Sequence, residues 1–199
     1  MHHSDLVKTP LQPADLRGLL REATTAAHDA LDRHFETMID EPALATYRAF
    51  LRMNHACHAA LEAWIVPAIP ADIAADRPVF TDALAADLAA MEIPALPAPH
   101  PFEGETADLA AAAGILYVLD GSRLGARVLV RPLAARRAAR EEAIALTYLT
   151  AAAAPGPVFA AFNAVSARLE DDDVARVLDT ARKTFDYFGS TAARAATAI

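Results

Sequence analysis

The chain has 199 residues, 54% of them hydrophobic, and a formal net charge of −8 at pH 7. This length and apolar content are typical of one domain with a full core and exclude an intrinsically disordered chain. The acidic balance argues against a general nucleic-acid or membrane-surface binder, because both polyanions repel an acidic protein.

The N-terminus and the single cysteine favour a reducing cytoplasm. The segment MHHSDLVKTPLQP lacks the apolar core of a signal peptide, and no later run is apolar and uncharged over the length of a bilayer. Cys57 is the only cysteine, so it cannot form an internal disulfide. We expect a cytoplasmic protein with a flexible N-terminus over residues 1–12 and one helical domain over residues 13–199.

Two long amphipathic helices are predicted in the first third of the chain. The first begins at Pro13, and its apolar residues recur every three or four positions as far as Phe35. The second begins near Glu41, with Asp40 as its N-cap, and stops before Pro67.

The remainder of the chain is also predicted to be helical. A proline-rich connector over residues 66–101 contains a short helix over residues 81–91, with Thr81 as its cap. Four further helices are predicted over residues 105–129, 136–153, 157–169 and 174–196. Because no repeat and no alternating β pattern appears, the sequence predicts an all-α, multi-helical bundle.

One candidate site lies on the first helix, where Arg21, Thr25 and His28 are spaced i, i+4, i+7 and share one flank. Seven residues separate Arg21 from His28 by roughly 10 Å along the axis, about the distance from a haem iron to its propionate edge. A neutral imidazole can ligate iron while a guanidinium pairs with a carboxylate. The structural alternative is a histidine whose nitrogens are satisfied by hydrogen bonds, beside a solvated arginine.

The second candidate site is a row of small residues that includes Gly114, Gly121 and Gly125. Glycine inside a helix costs about 1 kcal/mol relative to alanine, so Gly121 and Gly125 together weaken their helix by roughly 2 kcal/mol unless they are used. A planar ligand that lies against the bare backbone would need glycines at these two positions. Close packing of two helices also favours small residues and is an equal alternative.

These segments resemble the haem oxygenase family. The segment LREATTAAHDALD, which contains His28, resembles its proximal-histidine segment, and YVLDGSRLGARVL resembles the distal helix of the bacterial branch, including the form linked to bacteriophytochromes. The segments YRAFLRMNHACHAALEAWI and ARKTFDYFGS are similar to the second and last helices of that family. The likeness covers residues 13–188, and the first two segments are its specific part.

The resemblance implies an activity, a cofactor and partners. Haem would be both substrate and cofactor, and it would be opened oxidatively to biliverdin, carbon monoxide and ferrous iron. The reaction would use O2 and electrons from a ferredoxin- or flavin-type reductase, and a bacteriophytochrome is a further candidate partner. The same resemblance implies a haem-oxygenase-like helical domain over residues 13–199, with no nucleic-acid or membrane partner.

The resemblance also implies roles for particular residues. His28 aligns with the iron ligand, and Gly121, Gly125 and Ser122 with the catalytic stretch of the distal helix. The implied haem contacts are Arg21, Thr25, Tyr117 and Phe185, with Arg182 or Lys183 as a further propionate partner.

The chain also departs from the family pattern in its distal segment. Ser122 stands where the animal enzymes have an aspartate that organises proton delivery, although bacterial members also lack it, and Ala126 replaces a glycine. Arg123 would crowd the distal side if it turned inward. These departures put rate and regiochemistry in question more than haem binding.

An arginine cluster follows the distal segment. In an otherwise acidic chain it could dock an acidic electron donor such as a ferredoxin, or it could be a solvated face. Its members are Arg127, Arg131, Arg136, Arg137 and Arg140.

Other functions remain open from the residues. A non-haem metal site could use His55, His58 and Glu62, or the row formed by His28, Asp32 and Glu36. His58 and Asn54 lie in an apolar stripe, however, which favours hydrogen-bonded core groups. A non-catalytic haem carrier or sensor and a cofactor-free interaction module would need the same fold.

Overall fold

The computed structural model describes residues 13–36, 38, 44–140 and 143–197, and regular structure in these ranges is entirely helical. This confirms the all-α prediction. The predicted flexible segment 1–12 and the predicted cap Asp40 and start Glu41 lie outside the described residues. The helices are α1 (Pro13–Arg33), α2 (Leu44–Ile65), α3 (Ala71–Asp76), α4 (Thr81–Ala90), α5 (Leu109–Arg140), α6 (Thr147–Ala152), α7 (Ala160–Ser166) and α8 (Val174–Thr197), with 3₁₀ turns at Val66–Ala68 and Asp171–Asp173.

The C-terminal helix α8 is the centre of the bundle and packs against α1, α2 and α5. Its buried residues recur at helical spacing, as Val177, Ala181, Phe185 and Phe188 show. Helix α5 approaches it closely, because a Cβ on Gly114 would lie 2.6 Å from the Val177 carbonyl oxygen. At Gly114, therefore, tight helix packing explains the glycine.

Helix α5 joins two hydrophobic clusters. Its residues 110–119 belong to a cluster with α1, α2 and α8, whereas Ala126 and Leu133 belong to a second cluster with α2, α4 and α6. The half-buried rings of Phe35 and Phe50 pack against the second cluster and also against the first. The stretch with Gly121 and Gly125 lies between the two clusters along the helix.

Helix α5 is longer than predicted. It starts after Asp108, whose Oδ1 accepts a hydrogen bond of 2.7 Å from the Ala111 amide, and runs to Arg140 without the break expected after residue 129. Pro132 lies inside it. Proline removes the hydrogen bond to the carbonyl four positions earlier, that of Val128, and its ring crowds that carbonyl. Val128 is 65% exposed, so water can reach that turn.

Two carboxylates bind the first residues of the short helices α4 and α6, and the contact at α4 differs from the prediction. Asp87 is fully buried and accepts hydrogen bonds from the Thr147 and Tyr148 amides at 2.8 and 2.9 Å, which caps α6. Thr81, predicted as an N-cap, is the first residue of α4, and its hydroxyl donates to Glu62 at 2.7 Å. The capping prediction for Thr81 was wrong because a buried carboxylate from α2 binds its hydroxyl.

The stretch Leu109–Ala139 is long and apolar enough to cross a membrane by length and composition alone. In the folded chain, 67% of its most apolar segment is buried against the rest of the protein. Such burial is also a property of core helices, so this stretch is weak evidence for a membrane span.

Candidate ligand-binding cleft

A cleft of about 1090 Å³ runs between α1 and α5, with side chains of α2, α6 and α8 forming its floor. Its volume lies at the upper end of the range for ligand sites. The cleft brings together the two candidate sites predicted on separate helices. The predicted residues that line it are Arg21, Thr25, His28, Tyr117, Gly121, Ser122, Gly125 and Phe185.

His28 lies in the α1 wall with its side chain 58% exposed. Its Nδ1 lies 3.1 Å from Oδ2 of Asp32, one helical turn later, and its ring meets the ring of Phe185 edge-on at 5.9 Å between centroids. A carboxylate at Nδ1 sets the tautomer and the orientation of the ring. Nε2, on the opposite side of the ring, is therefore the atom available for coordination.

One end of the cleft is basic. Arg21 and Arg17 line it together with Thr24 and Tyr117. Burial raises the pKa of Tyr117, although Thr24 and the two arginines oppose the shift, so this phenol is neutral near pH 7. Arg17 was not predicted as a site residue, although its place four residues before Arg21 puts both on one helix face.

The other end of the cleft is acidic. Asp29 and Asp32 line it further along α1, and Glu36 lines it from the turn after α1. A ligand with carboxylates on one edge is attracted to the arginine end and repelled from this end, so the charges give such a ligand one preferred orientation.

The α5 wall is bare backbone at the two glycines. A Cβ on Gly121 would lie 3.8 Å from the Phe159 ring, and a Cβ on Gly125 meets no atom within 4 Å among the described residues. The flanking side chains of Leu124 and Val128 also line the cleft and are 47% and 65% exposed. Unlike Gly114, these two glycines have no packing requirement within the described protein.

The floor of the cleft carries neutral polar groups among apolar ones. Ser122 donates through Oγ to the Leu119 carbonyl at 2.7 Å, and it lines the cleft together with the phenol of Tyr148. Burial raises the pKa of Tyr148 to about 12 although Ser122 opposes the shift, so the phenol stays protonated. Asn54, also on the floor, donates to the Phe50 carbonyl at 2.8 Å.

Two predicted propionate partners do not reach the cleft. Arg182 is exposed and donates to the Ala23 carbonyl at 3.4 Å, and Lys183 pairs with Glu105 and Asp179, each at 2.8 Å. Both side chains lie on the face of α8 that is turned to solvent and to ion-pair partners. That part of the prediction is corrected, and Arg17 provides a second cation instead.

Arg123 turns away from the cleft. It is 7% exposed and donates to the carbonyls of Ala152, Pro157 and Val158 at 3.3 to 3.5 Å. Because its guanidinium is hydrogen-bonded to these carbonyls, Arg123 does not crowd the glycine wall.

The arginine cluster that follows is only partly free to dock a partner. Arg127 donates to the carbonyls of Ala154 and Gly156 at 3.2 and 3.0 Å. Arg131 and Arg137 are exposed on the same helix.

The histidines of α2 lie behind the cleft floor. His58 is fully buried, its Nδ1 is 2.8 Å from Glu62, and its ring contacts the rings of Tyr148 and Phe188. His58 is thus a core group that is hydrogen-bonded through Nδ1, whereas its buried Nε2 has no hydrogen-bond partner among the described residues. Across the described ranges, no group of three or more His, Cys, Asp or Glu side chains is arranged to hold a metal ion.

Comparisons with protein-family models, with curated proteins and with solved structures found no match to this chain.

Proposed function

We propose that this protein is a haem oxygenase, which binds haem in the cleft between α1 and α5 and opens it with O2 and external electrons to biliverdin, carbon monoxide and ferrous iron. The observation that carries the proposal is that His28 and the Gly121–Gly125 backbone line the same cleft, on two different helices. Neither motif alone specifies a flat ligand. Together they provide one coordinating nitrogen on one wall and side-chain-free backbone on another.

The residues of the cleft fit haem in three respects. Nε2 of His28 would hold the iron, with Asp32 fixing the ring. Arg21 and Arg17 would pair with the propionates at the basic end, and Phe185 and Phe188 supply apolar contact. Gly125 leaves a space that a Cβ would fill, so its wall can lie close to a planar ligand.

When bound, haem supplies both the iron that activates O2 and the ring that is oxidised. The protein holds that ring in place. His28 as a neutral donor leaves the opposite side of the site open, and the bare backbone at Gly121 and Gly125 provides room there for a small gas molecule. Ser122 and Tyr148 provide two neutral hydroxyl groups in the cleft lining beside that space, which can orient water for proton delivery. Their neutrality avoids a buried charge next to the ligand.

The direct test is single-turnover chemistry. Hemin is added to the purified protein in air with catalase, followed by ascorbate or by a ferredoxin and its reductase. The proposal predicts loss of the Soret band with a matching rise of biliverdin and carbon monoxide. Stable bound haem without biliverdin would reject catalysis and leave a haem carrier or sensor.

The sequence resemblance implies that the electrons come from a separate donor protein. We infer that an acidic donor such as a ferredoxin docks on α5 near the exposed Arg131 and Arg137. Charge reversal at both arginines should slow donor-driven turnover and reduce its salt dependence. Ascorbate-driven turnover is the control and should not change.

A further inference from the structure

Phe159 is a cleft residue that no motif identified. It precedes α7, lines the cleft, and its ring lies 3.8 Å from the position of a Cβ on Gly121. It stacks on Tyr117 at 5.9 Å between ring centroids and meets Phe162 edge-on at 6.2 Å. The ring therefore lies at the basic end of the cleft, where α1, α5 and α7 meet.

The Phe159 ring also contacts the guanidinium of Arg17. The guanidinium carbon of Arg17 lies 5.1 Å from the ring centroid, within the range of a cation–π contact. Arginine stacks well on aromatic faces because its guanidinium is planar and weakly hydrated. A stacked guanidinium still has its in-plane N–H groups available for a carboxylate, and its flexible side chain is held in one place.

Two arginines of α5 hold the segment that ends in Phe159. Arg123 and Arg127 donate to carbonyls of residues 152, 154, 156, 157 and 158, between the end of α6 and the start of α7. Gly156 has a φ of +136°, which a side chain would strain, so this segment has a defined backbone path. The helix that carries the glycine wall thus also positions Phe159.

We propose that Phe159 is a specificity-determining residue that holds Arg17 at the basic end and closes that end of the cleft. It thereby selects a flat ligand with acidic groups on one edge. Arg127 is a positioning residue, since it acts through the segment that carries Phe159. This inference rests on the proposed function only in taking haem as the ligand, and the cleft itself is tested with other molecules below.

The test compares matched charged and uncharged ligands. The affinities of hemin and hemin dimethyl ester are measured for the wild type, Phe159→Ala and Phe159→Leu. The leucine variant keeps an apolar side chain against Tyr117 and Phe162 but offers Arg17 no π face, so it remains informative if the alanine variant fails to fold. Arg131→Ala, an exposed arginine of α5 outside the cleft lining, is the control.

The wild type and Arg131→Ala should prefer the diacid by about tenfold, corresponding to one charge-assisted contact of about 1.4 kcal/mol. Both Phe159 variants should lose most of that preference by binding the diacid more weakly, with little change for the diester. Arg127→Ala should lose part of the preference, and Arg127→Lys should restore it in part. An unchanged preference in Phe159→Leu would overturn the proposal.

A second ligand pair separates this inference from the proposed function. If the wild type binds neither porphyrin, the haem proposal fails, and the cleft is then probed with anilinonaphthalene sulfonate and with N-phenyl-1-naphthylamine, which lacks the sulfonate. Loss of the anion preference in Phe159→Leu would still support the role of Phe159, and equal preferences in the wild type and the variant would reject it.

Discussion

At the scale of single residues, the contact between His28 and Asp32 controls how the imidazole is presented. A carboxylate that accepts a hydrogen bond from the Nδ1–H group orients the ring and makes Nε2 a stronger donor to a metal. Asp32→Asn should therefore lower the Fe–N(His) stretching frequency of the ferrous haem complex in resonance Raman spectra. Because the pair is exposed, the free energy of unfolding should change by no more than about 0.5 kcal/mol.

The control for this prediction is Asp29→Asn, which removes another cleft carboxylate from the same helix. It should leave the stretching frequency unchanged. Equal shifts in the two variants would mean that general electrostatics, and not the contact with Nδ1, acts on the ligand.

A second residue prediction concerns Asp120, which lies next to Gly121 on α5 and is 4% exposed. Burial raises its pKa to about 6, although the hydrogen bond from the Phe162 amide and the charges of Arg123 and Arg77 oppose the shift. Its carboxyl is thus easier to protonate in the folded state than in the unfolded chain. The contribution of Asp120 to the free energy of unfolding is therefore fully present below pH 4 and is lost as the pH rises through about 6.

Asp120→Asn should therefore be more stable than the wild type by an amount that grows between pH 4 and pH 7. A difference of about two pKa units corresponds to an upper bound of about 3 kcal/mol. Urea denaturation at several pH values measures it, with the exposed Asp186→Asn as the control. A stability difference that does not vary with pH would contradict the assignment.

At the scale of elements, α5 uses its glycines in two different ways. A Cβ on Gly114 would meet the backbone of α8 at 2.6 and 2.9 Å, whereas a Cβ on Gly125 meets open space among the described residues. Gly114→Ala should destabilise the protein by about 1–3 kcal/mol through overpacking. Gly125→Ala should stabilise the ligand-free protein by up to about 1 kcal/mol, because alanine is the better helix former.

The ligand should reverse the second effect. Gly125→Ala should bind hemin more weakly than the wild type, since its methyl group occupies space at the cleft wall. Chemical denaturation and hemin titration on the same samples measure both quantities. A Gly125→Ala protein that is more stable and binds hemin equally well would remove the functional reason for this glycine.

The sequence was informative about helices whose burial follows from their own pattern. The apolar stripe of α1 and its proline start predicted a helix from Pro13 to about Phe35, which ends at Arg33, and α8 was predicted to within one residue of its end. The six-residue α3 has too few turns for a periodic signal. The continuation of α5 through Pro132 was missed because it depends on which turn of the helix faces water.

The site residues also fall into those that their own segment identifies and those that depend on contacts formed only after folding. His28, Gly121 and Gly125 stood out because a lone histidine and helical glycines are unusual within their own segments. Arg17 and Phe159 did not, because their contact joins α1 to a segment 142 residues later and appears only after folding. Lys183 looked available in the sequence, and its pairing with Glu105 depends on how α8 docks beside the start of α5.

At the scale of the whole molecule, the two hydrophobic clusters leave a cleft where α1 passes the glycine stretch of α5. Phe50, on the cleft floor, packs against both clusters. A ligand that fills the cleft would therefore contact both parts of the core. Binding to the folded state alone stabilises a protein by about 2.7 kcal/mol when the free ligand is at 100 times its Kd.

The central claim is that Nε2 of His28 coordinates haem in this cleft. The most direct measurement is the Fe–N(His) stretch of the ferrous haem complex in the wild type, in His28→Ala, and in His28→Ala with added imidazole. We expect the band in the wild type, its loss in the variant, and its return when imidazole occupies the vacated space. The same band in His28→Ala without imidazole would contradict the account.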